Sequence, residues 1–77
     1  MTDFTEMRFW SPTLGANVLR LGMMGPDGAE RHAMLNMDCE GRERRRRRAV
    51  ALEQLERLAK TAPAGEVTID LTISAEV

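Results

Sequence analysis

The chain has 77 residues, of which 43% are hydrophobic and 30% charged, and its formal net charge is −1. This length accommodates one domain, so we expect residues 1–77 to form a single folded unit, and the hydrophobic fraction argues against a disordered chain. A net charge near zero excludes a general polycation that nucleic acid would attract as a whole.

The composition offers few of the crosslinks that stabilise small domains, whose cores are thin. Cys39 is the only cysteine and His32 the only histidine, which excludes an internal disulfide and a Cys/His metal cluster. A homodimer is one remaining way to bury apolar surface. The first ten residues lack an apolar stretch, and no segment approaches membrane-spanning length. With a lone cysteine, we therefore expect a cytoplasmic protein.

Three strands are predicted in the first half of the chain. Residues 3–10 alternate in polarity and form the first. Residues 17–24 and 29–38 alternate in the same way and flank residues 25–28, whose sequence Gly-Pro-Asp-Gly suits a tight turn. Two alternating segments separated by such a turn predict a β-hairpin.

The alternation also assigns side chains to the two faces of this sheet. We predict that Met7, Met23 and Met37 point into the core. A single helix would leave the other face open, where flexible side chains suit a dimer or contact surface. Scattered exposed apolar residues are also common and carry no function. The residues on this possible contact face are Val18, Met24 and Met34.

A helix is predicted over residues 40–61, with Asp38 as its N-cap and with Pro63 and Gly65 ending it. One apolar stripe with helical spacing would face the sheet. It comprises Ala51, Leu52, Leu55, Leu58, Ala59 and Ala62.

The last predicted element is a strand over residues 66–74, where β-branched and apolar residues alternate with polar ones. The element order is then β-β-β-α-β. We predict a two-layer α+β fold: an antiparallel sheet of three to four strands with one helix packed on one face.

Arginines crowd the start of this helix, where cations oppose the helix dipole. On a helical wheel Arg44 and Arg48 project toward the core side, Arg45 and Arg47 lie on the flanks, and Arg42 and Arg46 face solvent. A sequence that breaks a local rule without visible compensation often does so at a functional site. The predicted partner-binding residues are Arg42, Arg44, Arg45, Arg46, Arg47 and Arg48.

Three interpretations of the arginine run stay open. A charge run is commonly only a solvated helix end. If it binds, phosphates would engage several guanidinium groups, so nucleic acid is a possible partner of residues 42–48. The aromatic residues that would stack bases are few and lie in one segment, 4–10. The same guanidinium groups suit carboxylates, and the net charge of −1 favours a protein partner.

No set of residues suggests catalysis. His32 has no serine or carboxylate at a suggestive spacing, and Cys39 suits a small, partly buried side chain better than a reactive thiol. Gly22, Gly25 and Gly28 surround a hairpin turn with no helix directly after it, so they are not a phosphate-binding loop. We predict no enzyme activity, no catalytic or metal-ligating residue, and no cofactor.

In size, element order and lack of catalytic residues the chain resembles small proteins encoded by bacteriophages, and anti-CRISPR proteins most of all. The resemblance implies an inhibitor that docks on a CRISPR effector complex in the host bacterial cytoplasm and blocks target DNA binding or nuclease function; it assigns no residue. The alternatives are a nucleic-acid-binding accessory protein and a structural subunit that builds an oligomer.

Overall fold

The computed structural model of the protein describes residues 3–73. Three strands come first: β1, Thr5–Ser11; β2, Ala16–Met24; and β3, Glu30–Asn36. Helix α1, Gly41–Thr61, and a two-residue strand β4, Gly65–Glu66, follow. The predicted order β-β-β-α-β and the α+β fold are confirmed. Along this described stretch, no helix is long and apolar enough to cross a membrane.

The sheet order is β1-β2-β3-β4. Strands β1, β2 and β3 are antiparallel neighbours as predicted, whereas β4 runs parallel to β3, so the sheet is mixed and not antiparallel throughout. Helix α1 packs over β2 and β3 and leaves β1 uncovered. The core lies between α1 and these two strands. Its buried members are Leu19, Leu21, Met23, Leu35, Met37, Ala51, Leu55 and Ala59.

The faces of β2 and β3 follow the predicted alternation, whereas that of β1 does not. Met7 is opposite Arg20 in the β1–β2 register, so it lies on the face away from the helix, and it is 57% exposed. The prediction that Met7 belongs to the core is therefore wrong. Alternation gives the period of a strand but not which of its faces is inward, and β1 carries apolar residues on both.

The helix begins one residue later than predicted and has a different cap. Glu40, and not Asp38, caps α1 by accepting a hydrogen bond from the backbone N–H of Glu43 at 3.1 Å. Asp38 instead accepts two hydrogen bonds from Asn17, one from its backbone N–H and one from its side-chain amide. These bonds tie the start of β2 to the connection between β3 and α1.

The predicted strand over residues 66–74 is wrong beyond Glu66, and Ser74 lies outside the described residues. After the backbone N–H of Val67 donates to His32, the chain leaves the sheet and runs back beside α1. The predicted alternation is confirmed over residues 67–72, because the odd-numbered residues 67–71 are half-buried against the core and the even-numbered residues 68–72 are exposed. It is wrong at Ile73, which is 49% exposed.

A buried glutamine holds this segment against the helix. The side-chain amide of Gln54 donates to the carbonyl of Asp70 at 2.7 Å and accepts from its backbone N–H at 2.9 Å. The carboxamide thus provides the two bonds that a neighbouring strand would provide. We call residues 67–73 the C-terminal strap.

A second buried polar side chain, Arg31, ties the hairpin to the end of the helix. It is 5% exposed and donates to the carbonyls of Ala29 and Ala62 and to the carboxylate of Asp27. A cation at a helix C-terminus also interacts favourably with the helix dipole. The nearby Arg31 guanidinium lowers the pKa of the Asp27 carboxyl.

We predict that Gly25→Ala destabilises the protein by about 1–3 kcal/mol, as expected for overpacking. A Cβ at this position would overlap the Arg31 guanidinium and lie 2.6 Å from the carbonyl oxygen of Ala59. Urea denaturation measures the effect. Gly41→Ala is the matched control, because a Cβ there meets nothing closer than 3.7 Å. Equal stability of the two variants would contradict the prediction.

We also predict that Gln54→Leu lowers the free energy of unfolding by about 1–3 kcal/mol, because two hydrogen bonds to the strap are lost. Limited proteolysis should then cleave the strap faster than in the parent protein. Glu56→Leu introduces the same side chain at an exposed position of the same helix and should change neither quantity.

Candidate partner-binding surface

The start of α1 and the end of β1 lie at the same end of the molecule. The backbone N–H of Met37 donates to the carbonyl of Asn17, which places the start of β2 beside the residues that lead into the helix. Because β1 is antiparallel to β2, its last residues, including Trp10, lie there too. Trp10 is 58% exposed.

Three of the predicted arginines form ion pairs within the chain. The carboxylate of Glu43 accepts from Arg46 at 2.7 and 2.8 Å and from Arg47 at 2.9 Å. The Arg48 guanidinium donates to both carboxylate oxygens of Glu6, at 2.8 and 3.0 Å. These acidic partners compensate much of the charge that the sequence places near the helix start.

Arg46 is not the free, solvent-facing cation that the helical wheel indicated. Besides Glu43, it donates to the carbonyl of Leu71 at 2.9 Å in the strap. Arg47 donates to the carbonyl of Asn36 at the end of β3. The wheel could not show either bond, because both acceptors belong to segments that only the tertiary structure brings beside the helix.

The other three arginines are exposed. Arg44 does project toward the sheet, where its Nε donates to the carbonyl of Met37 at 3.0 Å. Arg42 and Arg45 have no acidic partner among residues 3–73. The arginine run is thus divided: its first half presents cations to solvent, and its second half stabilises the domain.

A groove runs between the helix start and β1. It has a volume of about 380 Å³ and is lined in part by Arg8, Trp10, Asn17, Met37 and Arg44. Guanidinium groups and an indole ring therefore share one concave surface. We call this groove, together with the exposed Arg42, Arg44 and Arg45 at the start of α1, the basic end.

The contribution of Trp10 to this site was not predicted from the sequence, because the aromatic residues lie in one segment, far along the chain from the arginines. The hairpin and the β3–α1 connection bring Trp10 into the same groove as Arg44. One indication of an exposed aromatic residue was present in the sequence, because β1 has apolar residues on both faces and a single helix can cover only one face of a strand.

The residues that form the possible contact face of the sheet differ from those predicted. Met24 and Met34 are 65% and 40% exposed, but Val18, which lies on the same face, is only 1% exposed. Phe9 and Asn36 are its cross-strand neighbours and shield it. Val18 is therefore unavailable for contact, while the exposed Met7 joins this face.

Polar groups also cross this face. The carboxylate of Glu30 accepts from Arg20 at 2.5 Å and from the hydroxyl of Thr5 at 3.4 Å. This ion pair makes the face less apolar than the methionines alone would suggest.

The remaining candidates for chemistry are Cys39 and His32. Cys39 is a half-buried free thiol, and His32 is half-buried on the face of the sheet away from the helix. Within the described part of the chain, no three His, Cys, Asp or Glu side chains are grouped so as to hold a metal ion.

Comparison of the chain with protein-family models, curated proteins and solved structures finds no match.

We predict that Glu43 titrates with a pKa of about 2, well below its ordinary value of 4.5, because Arg46 and Arg47 hydrogen-bond its charged form. A carboxyl with a lowered folded-state pKa stabilises the fold above pH 4.5, and this contribution is lost as the pH falls toward 2. NMR titration of the side-chain carboxyl measures the midpoint. Arg46→Ala should raise it, whereas Arg42→Ala should leave it unchanged.

Proposed function

We propose that this protein works by binding and not by catalysis, as an inhibitor that docks on a larger protein or nucleoprotein complex through the basic end. The observation that carries the proposal is the division of the arginine run. Arg42 and Arg45 are exposed without acidic partners in the described chain, at the same helix start from which Arg44 lines a groove with the exposed Trp10.

This combination of side chains suits a protein partner with an acidic surface. Arginine and tryptophan are the residue types that most often dominate binding energy at protein interfaces. Each guanidinium group can bind a carboxylate through two hydrogen bonds, and exposed cations accelerate encounter with an acidic patch. Since Arg42 and Arg45 need not give up an internal ion pair, the cost of engaging a partner is small.

The specific form that we propose is an inhibitor similar to anti-CRISPR proteins, acting in a bacterial cytoplasm on target DNA binding or on the nuclease. The support for this form is a general resemblance in size and architecture to a class of small single domains in which no catalytic residues are recognised. The basic end would cover an acidic surface, or a surface normally occupied by nucleic acid, on the effector complex.

Binding to nucleic acid is the second candidate, and the position of Trp10 favours it. An aromatic ring beside guanidinium groups is the usual means of holding single strands, with the ring stacked on a base and the cations on phosphates. Trp10 lines the same groove as Arg8 and Arg44. Such binding would weaken steeply as the salt concentration rises.

Charge reversal at the basic end tests the first candidate. We predict that R42E/R45E lowers inhibition of a purified CRISPR effector complex, measured as binding of its target DNA, by roughly tenfold or more through lost charge-assisted contacts. R57E/K60E is the matched control, because it reverses two cations near the other end of the same helix. Acidic residues near a helix start are favourable, so R42E/R45E should fold normally.

The same variants separate the two candidates. Fluorescence anisotropy with a labelled single-stranded DNA measures nucleic-acid binding directly. If the parent protein binds this probe with a steep salt dependence, and R42E/R45E abolishes binding while R57E/K60E does not, the second candidate is correct. Absence of inhibition across effector complexes of different types would reject the anti-CRISPR form.

A further inference from the structure

The first strand is an uncovered edge of the sheet. Strand β1 pairs on one side only, with β2, in an unbroken register from Thr5 to Ser11. Helix α1 lies over β2 and β3, and within residues 3–73 no strand pairs with the outer side of β1. Proteins usually protect such an edge with charged side chains, a bulge, a proline or a covering segment, because its free N–H and C=O groups pair readily with another strand. Of these features, β1 has only the charged side chains, Glu6 and Arg8.

The side chains of β1 also leave apolar surface exposed. Met7 on one face and Trp10 on the other are both more than half exposed. Phe4, just before the strand, is half-buried and packs at the margin of the core. In a domain with a thin core, a second protein chain beside β1 would cover this surface.

The side chains of this segment would meet complementary side chains if a second copy of β1 ran antiparallel beside it. Three residues of β1 lie on its helix side, in the order Glu6, Arg8 and Trp10, and Phe4, just before the strand, continues the alternation. In an antiparallel copy this order runs in the opposite direction. Each aromatic residue then lies opposite an aromatic residue of the copy, and each carboxylate lies opposite a guanidinium group of the copy. Met7, at the centre, would meet itself.

We propose that β1 pairs antiparallel with β1 of a second copy of this chain, about a two-fold axis through Met7. Glu6 then lies opposite the partner's Arg8, and Phe4 lies opposite the partner's Trp10. Each contact occurs twice by symmetry. Opposite charges and aromatic pairs at facing positions are the side-chain contacts that stabilise antiparallel strands.

The charges select this register over its neighbours. A two-fold axis perpendicular to the sheet keeps both helices on the same side and allows the axis to pass through any residue of β1. An axis through Glu6 would place two carboxylates face to face, and an axis through Arg8 would place two guanidinium groups face to face. Both arrangements are destabilising.

The geometry of the free chain is compatible with this contact. Arg8 is exposed, and its guanidinium lies 3.8 Å from Glu6, too far for a strong internal hydrogen bond. Glu6 receives one bond from Arg48 on each carboxylate oxygen, and each oxygen can accept another. The partner's Arg8 can therefore bind Glu6 without displacing Arg48.

The assembly would be a continuous eight-stranded sheet with both helices on one face. Arg42 and Arg45 lie on the helix, outside the paired strands, so they stay exposed at opposite ends of the dimer, whereas Arg8 and Trp10 of each groove face the second copy. The inference goes beyond the proposed function and does not depend on it. R42E/R45E should accordingly leave the dimer intact.

Charge reversal on β1 tests the pairing. Glu6→Lys makes both charged positions on the helix side of β1 positive, and Arg8→Glu makes both negative, so each variant alone should repel its own copy. We predict that each raises the dimer dissociation constant by about tenfold or more. An equimolar mixture should restore dimers that contain one copy of each variant. Analytical ultracentrifugation measures the masses, and circular dichroism checks folding.

The mixture protects the test from a folding artefact, because a variant that fails to fold cannot form the mixed dimer. Arg8→Glu also leaves the Arg48–Glu6 pair in place. A parent protein that stays monomeric at the highest soluble concentration would overturn the proposal. Variants that each dimerise as well as the parent would do the same.

A disulfide at the axis provides a second test. In a Cys39→Ser background, Met7→Cys places two thiols opposite each other across the axis, within the separation that a disulfide spans. We predict rapid crosslinking of Met7→Cys under mild oxidation and little of Met34→Cys, which is exposed on the same face of the sheet. Crosslinking through Met34→Cys alone would indicate a dimer through the sheet face and would overturn the edge pairing.

Discussion

Helix α1 packs over β2 and β3, and its backbone does not extend over β1, which it contacts through the Arg48 side chain. This offset shapes the exposed features of the domain. It leaves room for the groove between the helix start and β1. It keeps Trp10 exposed, and it leaves the outer edge of β1 bare. One helix is too narrow to cover four strands, because side chains give it a diameter of only about 10–12 Å. The protein covers the other side of α1 with the strap and leaves β1 open.

The arginine run follows from the same arrangement. Six guanidinium groups near a helix start would repel one another and oppose the helix dipole if all were free. Glu43 forms ion pairs with two of them, and Glu6 of β1 forms an ion pair with a third. The guanidinium carbon of Arg48 also lies 5.7 Å from the centre of the Phe4 ring. The helix start is therefore both a structural element and a binding surface, with a boundary between the two roles near Arg45 and Arg46.

Two buried polar side chains connect parts of the chain that a thin core would hold only weakly. Arg31 binds the hairpin turn to the helix end, and Gln54 binds the strap to the middle of the helix. Arg31 donates to backbone carbonyls and to the Asp27 carboxylate, and Gln54 bonds the backbone carbonyl and N–H of Asp70. Each side chain therefore fixes the position of the segment that it binds. No buried side-chain nitrogen or oxygen in residues 3–73 lacks a partner, which is the condition for such groups to stabilise a small domain.

The sequence by itself determined the element order, the two-layer α+β fold, the inward faces of β2 and β3, and the location of the arginines at the helix start. These follow from local rules: alternation in strands, helical spacing of leucines, and turn chemistry at residues 25–28. Only the tertiary structure decided the inward face of β1, the end of the ladder at Glu66, the bonds of Arg46 and Arg47 to backbone carbonyls outside the helix, and the pairing of Arg48 with Glu6. The physical reason is that each of these depends on contacts between segments far apart in the chain, such as Glu6 with Arg48 and Gln54 with Asp70, and local periodicity has no information about which distant segment supplies the partner.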